Sequence, residues 1–193
     1  MHCGSVIARR VWLFILIAIV AANYANAQET LHVEGAWRHP LVDLEFPERV
    51  DGFSRIEITA FAKDYSDTSV GYIVRKPEGK ITITLFVYTN GSEAPKTARD
   101  LDQHFENMRA QIGLAFGGAV RATQAPASDW PGWRVAAAEV TPSDAPPFRS
   151  LLLLKTCGKW YMKARASYSI ETAGQFESEG RNVVSLINCP FAD

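Results

Sequence analysis

The stretch from Arg149 to Ile170 constrains the fold more than any other. It runs from an unbroken apolar segment, Leu151 to Leu154, through Lys155-Thr156-Cys157-Gly158-Lys159 into strict alternation from Trp160 to Tyr168. This pattern predicts a β-hairpin. A two-residue turn around Gly158 pairs odd positions of the first strand with even positions of the second, so Leu151, Leu153 and Cys157 share a face with Trp160, Met162, Ala164 and Ala166. The opposite face carries Leu152, Leu154, Tyr161, Lys163, Arg165 and Ser167. Because the first strand is apolar on both sides, the hairpin belongs inside a sheet covered, at least in part, on both faces.

Upstream, Phe46 to Phe53 reads as a turn feeding a strand through Ala60, and Val70 to Arg75 as a second strand. Lys80 to Tyr88 alternates strictly, with Ile81, Ile83, Leu85 and Val87 on one side and Thr82, Thr84, Phe86 and Tyr88 on the other. Asn90-Gly91-Ser92 matches a glycosylation sequon and reads as the turn that closes this strand. After Pro95 the period changes from 2 to 3.6. Leu101, Phe105, Met108, Ile112 and Ala115 mark an amphipathic helix from about Lys96 to Phe116, ended by Gly117-Gly118. Ala119 to Gln124 and Trp133 to Val140 read as further strands. A last helix is predicted from about Thr172 to Ile187, with Ala173, Phe176, Gly180, Val183, Val184 and Ile187 along one side and Thr172 and Gln175 at the spacing of a capping box.

The first 27 residues read as a targeting segment. Arg9 and Arg10 precede an apolar run from Val11 to Ala22, and Ala25-Asn26-Ala27 supplies the small residues a signal peptidase needs. Those 12 apolar residues fall short of the ~20 that a helix needs to cross a bilayer, so no stable membrane span is expected after cleavage. Of three cysteines, Cys3 would be lost with the signal, leaving Cys157 and Cys189 in an oxidising compartment, where a disulfide follows. Such a bridge closes a loop of about 31 residues and stabilises the fold by roughly 3 to 4 kcal/mol. A periplasmic or secreted location is expected.

At 193 residues with 47% hydrophobic and 21% charged, the chain has material for one core. The expected organisation is a signal peptide over 1–27, an N-terminal extension over 28–45 that wraps the domain, and a single α+β domain over 46–193. The formal charge is −1, and without Arg9 and Arg10 18 basic residues face 21 acidic ones. No nucleic-acid partner is expected from that balance.

Strands joined by tight turns pair antiparallel, and two amphipathic helices with strands apolar on both sides predict helices on both faces of one mainly antiparallel sheet, a three-layer α/β/α arrangement. From Phe46 to Ile187 this order of elements resembles the PsbP-like α/β/α fold, known from an extrinsic subunit of photosystem II and from proteins of unrelated roles. More locally, Phe46-Pro47 with Gly52-Phe53-Ser54-Arg55, then Val70-Gly71-Tyr72 and Val87-Tyr88, is similar to a group of exported bacterial proteins with an F-P-x-R-x-x-G-F opening. The resemblance implies a topology and an envelope location; it assigns no activity.

Catalytic signatures are missing from the sequence. His32, His39 and His104 form no H-x-x-x-H or H-E-x-x-H pattern, there is no G-x-S-x-G elbow, Walker loop or G-x-G-x-x-G, and Gly113 to Gly118 ends a helix instead of opening one. No metal or cofactor is predicted. Two surfaces remain as candidates. Asp129-Trp130-Pro131-Gly132-Trp133 puts two indoles, Trp130 and Trp133, beside a rigid turn, where they serve either as a contact or as buried packing. The polar hairpin face, Tyr161, Lys163 and Arg165, joins Phe86 and Tyr88 if their strands share a side, making a shallow groove for an anionic or aromatic group; the alternative is a face half covered by the helix from Lys96 to Phe116. Two classes of role follow: an exported non-enzymatic domain that binds a protein partner or small ligand, or a small hydrolase using scattered carboxylates and His104. A concave pocket lined by His104 and a carboxylate would favour the second.

Overall fold

The computed structural model describes residues 28–114, 119–124, 130–143, 145–172 and 176–189. The expected signal segment, the helix stop at Gly117-Gly118, Asp129, and the capping-box residue Gln175 with Ala173 lie outside the described residues. In chain order the elements are β1 (Glu29–Thr30), β2 (Trp37–Arg38), β3 (Glu45–Phe46), β4 (Arg49–Val50), β5 (Phe53–Ala60), β6 (Asp67–Lys76), β7 (Gly79–Tyr88), α1 (Ala98–Leu114), β8 (Ala119–Thr123), β9 (Arg134–Thr141), β10 (Phe148–Cys157) and β11 (Trp160–Ser169). A 3₁₀ turn at Ile170–Thr172, a π-helical turn at Phe176–Gly180 and α2 (Arg181–Ser185) follow.

Two antiparallel meanders, β5-β6-β7 and β8-β9-β10-β11, are joined through α1 and meet where β11 pairs with β7. The result is a sheet ordered β1-β5-β6-β7-β11-β10-β9-β8, with β4 also on β5 and β2-β3 forming a separate ribbon. Every pairing recorded in it is antiparallel. Two turns fix register by chemistry. Asp51-Gly52 between β4 and β5 and Gly158 between β10 and β11 all sit at positive φ, as tight hairpin turns require. Around Gly158, Cys157 pairs with Trp160, Leu153 with Ala164 and Leu151 with Ala166, the expected register.

The two faces of the sheet have different covers. One carries Ile81, Ile83, Leu85, Leu151, Leu153, Met162 and Ala164, packed with Phe53, Ile58 and Tyr72 into the main core. The other presents Leu152, Leu154, Tyr88 and Tyr161 to Leu101, Phe105 and Ile112 of α1. Reciprocal bonds start that helix: Thr97 Oγ1 accepts from the Asp100 N–H (3.2 Å) and Asp100 Oδ2 accepts from the Thr97 N–H (2.8 Å). The Lys96 N–H donates to the Gly158 carbonyl (2.8 Å), so the helix entry is tied to the hairpin turn.

The three-layer α/β/α expectation is corrected by this architecture. The chain is a β-rich fold dominated by its antiparallel sheet, and its described residues hold only two α-helices, one of them five residues long. The apolar positions predicted for the last helix are buried where they are described, Phe176, Val183, Val184 and Ile187. Their backbone nevertheless divides into π-helical and α-helical turns, and α2 has no side-chain N-cap bond. Much of that face is instead covered by chain without helical period: Trp37, Val42, Leu44 and Phe46 belong to the main core. Arg55 holds this segment, donating to the carbonyls of Phe46 (2.6 Å), Val33 (2.7 Å) and Gly35 (2.8 Å).

Gly180 carries a prediction that runs against helix propensity. Its φ of −66° suits any residue, and Ala in a helix is ordinarily favoured over Gly by about 1 kcal/mol. Here an added Cβ would lie 2.6 Å from Phe176 Cδ2 and 3.4 Å from Ile83 Cδ1. Phe176 is fully buried and stacked on Tyr168 at 4.6 Å, so it has little room to yield. Gly180→Ala is expected to destabilise by about 1 to 3 kcal/mol in urea denaturation; a gain in stability would show that the ring repacks freely.

Candidate functional site

The pairing of β11 with β7 builds the site. On the face shared with α1 it stacks four cross-strand rungs: Tyr161 with Tyr88, Lys163 with Phe86, Arg165 with Thr84, and Ser167 with Thr82. Phe86, Tyr88, Tyr161, Lys163 and Arg165, read from two separate stretches of sequence, therefore lie on one side of the sheet. Helix α1 packs chiefly over β8, β9 and β10 and meets this column at its aromatic end.

At that end His104 of α1 closes the group. Its Nε2 lies 2.7 Å from the Tyr88 hydroxyl and its ring 4.4 Å from that of Tyr161, which stacks on Tyr88 at 5.5 Å. Burial lowers the His104 pKa from its ordinary value, helped by the charges of Lys163 and Lys96. Burial raises that of Tyr88, helped by Asp67 and Tyr161. Both groups are thus neutral near pH 7 and share one hydrogen bond, whose direction follows the imidazole tautomer. His104 is paired with a phenol, not oriented by a carboxylate as a hydrolase dyad would be.

The next rung is cationic. Lys163 Nζ sits 3.7 Å from the Phe86 ring centroid and 5.4 Å from that of Tyr88. Desolvation lowers its pKa to about 8; repulsion from Arg165 adds to this and attraction to Asp67 opposes it. Asp67 pairs with Tyr88 across β6 and β7, and its own pKa is raised by burial against the pull of Lys163. Among the described residues, no carboxylate comes within the 4.0 Å of an ion pair with the Lys163 ammonium. Arg165 lies one rung further, its pKa also lowered by burial. Two cations stand side by side on a partly desolvated sheet face, with aromatic rings on one flank and hydroxyls on the other. Such a surface can hold an anion beside the half-buried Phe86 ring.

The second candidate surface is arranged differently. Trp130 and Trp133 pack partly buried against the main core, beside a shallow pocket of 230 Å³ bordered by Arg181 and Asn188. Each indole already has a cation over it: Lys155 Nζ lies 4.5 Å from the Trp133 ring and the Arg181 guanidinium 5.5 Å from that of Trp130. Lys155 also donates to Asn188 Oδ1 (2.9 Å), and burial lowers its pKa to about 8. Next to this corner Cys157 and Cys189 are joined, with Cα atoms 5.6 Å apart. That bridge fits an oxidising compartment. Among the described residues, no cluster of three or more His, Cys, Asp or Glu is placed to hold a metal ion, and no helix is long and apolar enough to cross a membrane.

Sequence reasoning missed Asp67 as a neighbour of the site, and it placed Thr84 and Ser167 on the right faces without naming them as site residues. Alternation alone gave Thr84 and Ser167 their faces, whereas Asp67 depends on the β6-β7 register. No protein-family model, curated protein or solved structure matches the chain.

Proposed function

We propose that this is an exported, non-enzymatic binding domain whose β7-β11 face takes the anionic group of a small ligand or partner. The observation that carries the reading is the Lys163 ammonium, held over Phe86 with no carboxylate of the described residues in ion-pair reach. Placing an ammonium in a desolvated position is costly unless an acceptor arrives. A bound carboxylate supplies charge and acceptor atoms together. Phe86, half-buried on the same rung as Lys163, then lies beside an aromatic or planar portion of the ligand, with Tyr88 and Tyr161 buried under α1 behind it. The Cys157–Cys189 bridge supports the exported setting.

The test is an amide-resolved NMR titration with benzoate. Saturable shifts confined to β7 and β11 around Phe86, Tyr88, Lys163 and Arg165 are expected. Shifts scattered over all basic residues, or none, would remove the reading.

A further inference from the structure

We infer that Lys163 is a carbonyl-capturing amine, and that the ligand of the β7-β11 face is a 2-oxo acid with a planar substituent, held as a Schiff base. The inference rests on the reading of Lys163 above and names the chemical class it receives.

Place and surroundings set this lysine apart. The rung of Tyr88 and Tyr161 is buried under α1, whereas both members of the next rung, Phe86 and Lys163, are partly exposed. The ammonium therefore stands at the margin of the α1 cover, where a small molecule can reach it from solvent. Of the seven lysines in the chain, Lys76 and Lys159 pair with Glu179 and Glu93, and Lys96 and Lys155 donate to Ser92 and Asn188. Lys63 and Lys80 are exposed. Lys163 instead has the Phe86 ring centroid 3.7 Å away and no ion pair among the described residues. Arg165, Asp67, Tyr88 and His104 are the charged and titratable groups that act on it. Burial and the Arg165 charge favour the neutral amine, which is how lysine nucleophiles are activated. With its pKa at about 8 against an ordinary 10.5, roughly 300 times more of it is free amine at pH 7.

The chemistry follows from the two protonation states. As an ammonium, Lys163 pairs with the carboxylate; as an amine, it reaches the carbonyl carbon one bond away. Its lone pair forms the C–N bond while the carbonyl π pair moves to oxygen. Both amine protons then leave with that oxygen as water, giving C=N without oxidant or reductant. Protonation of the imine restores a cation beside the carboxylate, and the planar substituent lies against Phe86.

The experiment incubates the protein with phenylglyoxylate and cyanoborohydride at pH 7 and locates the reduced adducts by peptide mass mapping. Rates are taken relative to Nα-acetyl-lysine, with acetophenone as the ketone that lacks the acid and benzoate as competitor. Lys155 is the internal control, since burial lowers its pKa equally, to about 8, outside this site. Lys163 should be modified at least about tenfold faster than any other lysine, the rest of the gain in free amine being offset by the weaker nucleophilicity of a less basic group. Benzoate should protect it, and acetophenone should show no such preference. Lys163→Arg keeps the charge and removes the nucleophile, so the fast adduct should vanish.

Adducts no faster at Lys163 than at Lys155, with benzoate still bound on β7 and β11, would overturn this inference and leave the anion-binding reading standing. A fast adduct that persists in Lys163→Arg would likewise overturn it by placing the reactive amine elsewhere. Acetophenone trapped at Lys163 with the same preference as phenylglyoxylate, or neither adduct nor benzoate binding, would overturn both.

Discussion

Breaking the Cys157–Cys189 bridge is expected to destabilise the protein by about 4 kcal/mol, the loop-closure value for the 32-residue separation of the two cysteines. That figure is large against the total stability of an ordinary domain. The loop contains β11 and the whole terminal segment, and α2 at its end is too short to hold its helical form alone. Four buried side chains, Phe176, Val183, Val184 and Ile187, keep the segment on the core, and the bridge keeps those side chains within reach. Urea denaturation of the oxidised protein, the reduced protein and Cys189→Ser measures the effect directly. Both altered forms should shift together, with hydrogen exchange accelerating first between Phe176 and Ile187. A midpoint unmoved by reduction would mean that packing alone fixes the segment.

A second large effect is expected from acid. His39 is buried between Trp37 and Trp160, at ring distances of 5.5 and 5.8 Å. The Leu41 N–H donates to its Nδ1 (3.1 Å), so Nδ1 has no proton and Nε2 carries one toward Thr68 Oγ1, also at 3.1 Å. Protonation would set two N–H groups against each other, and burial already lowers the pKa to about 4 from 6.5. The folded-state pKa lies below the unfolded one, so between these values the unfolded chain binds more protons and stability declines with falling pH. The contribution is intact above pH 6.5 and declines by about 3 kcal/mol on reaching pH 4. His104, also lowered, acts in the same direction, whereas Asp67, whose pKa is raised, opposes the trend at the acid end. His39→Gln should be less stable at neutral pH and show a flatter profile across this window. A wild-type profile already flat there would contradict a neutral buried imidazole.

Local pattern carried much of the architecture. The Gly158 turn and the alternation on either side of it determined the β10-β11 register, and the 3.6-residue period of Leu101, Phe105, Met108 and Ile112 located α1. Each depends on residues close in sequence. The three-layer expectation failed for the opposite reason. Phe176, Val183, Val184 and Ile187 recur as a helix would place them, but period describes which side chains are buried, not whether the backbone between them stays helical. Gly180, packed at van der Waals limits against Phe176, belongs to that interrupted stretch. Val42 and Leu44 enter the core from irregular chain and Trp37 from a two-residue strand, where no period exists to reveal them. The candidate site was half legible: Tyr161, Lys163 and Arg165 share a face by alternation alone, and so do Phe86 and Tyr88. Joining the two groups required the β7-β11 pairing, which bridges more than 70 residues of intervening chain, including α1.

The central claim is that Lys163 is held on the β7-β11 face for a ligand and not for the fold. The most direct measurement is the paired stability and benzoate affinity of Lys163→Met. The substitution keeps an unbranched side chain against Phe86 and removes a charge that burial disfavours. Stability equal to or above wild type, together with benzoate binding weakened by about tenfold or more, is the predicted result. A loss on the scale of a core truncation, about 2 kcal/mol or more, with benzoate affinity unchanged, would contradict it.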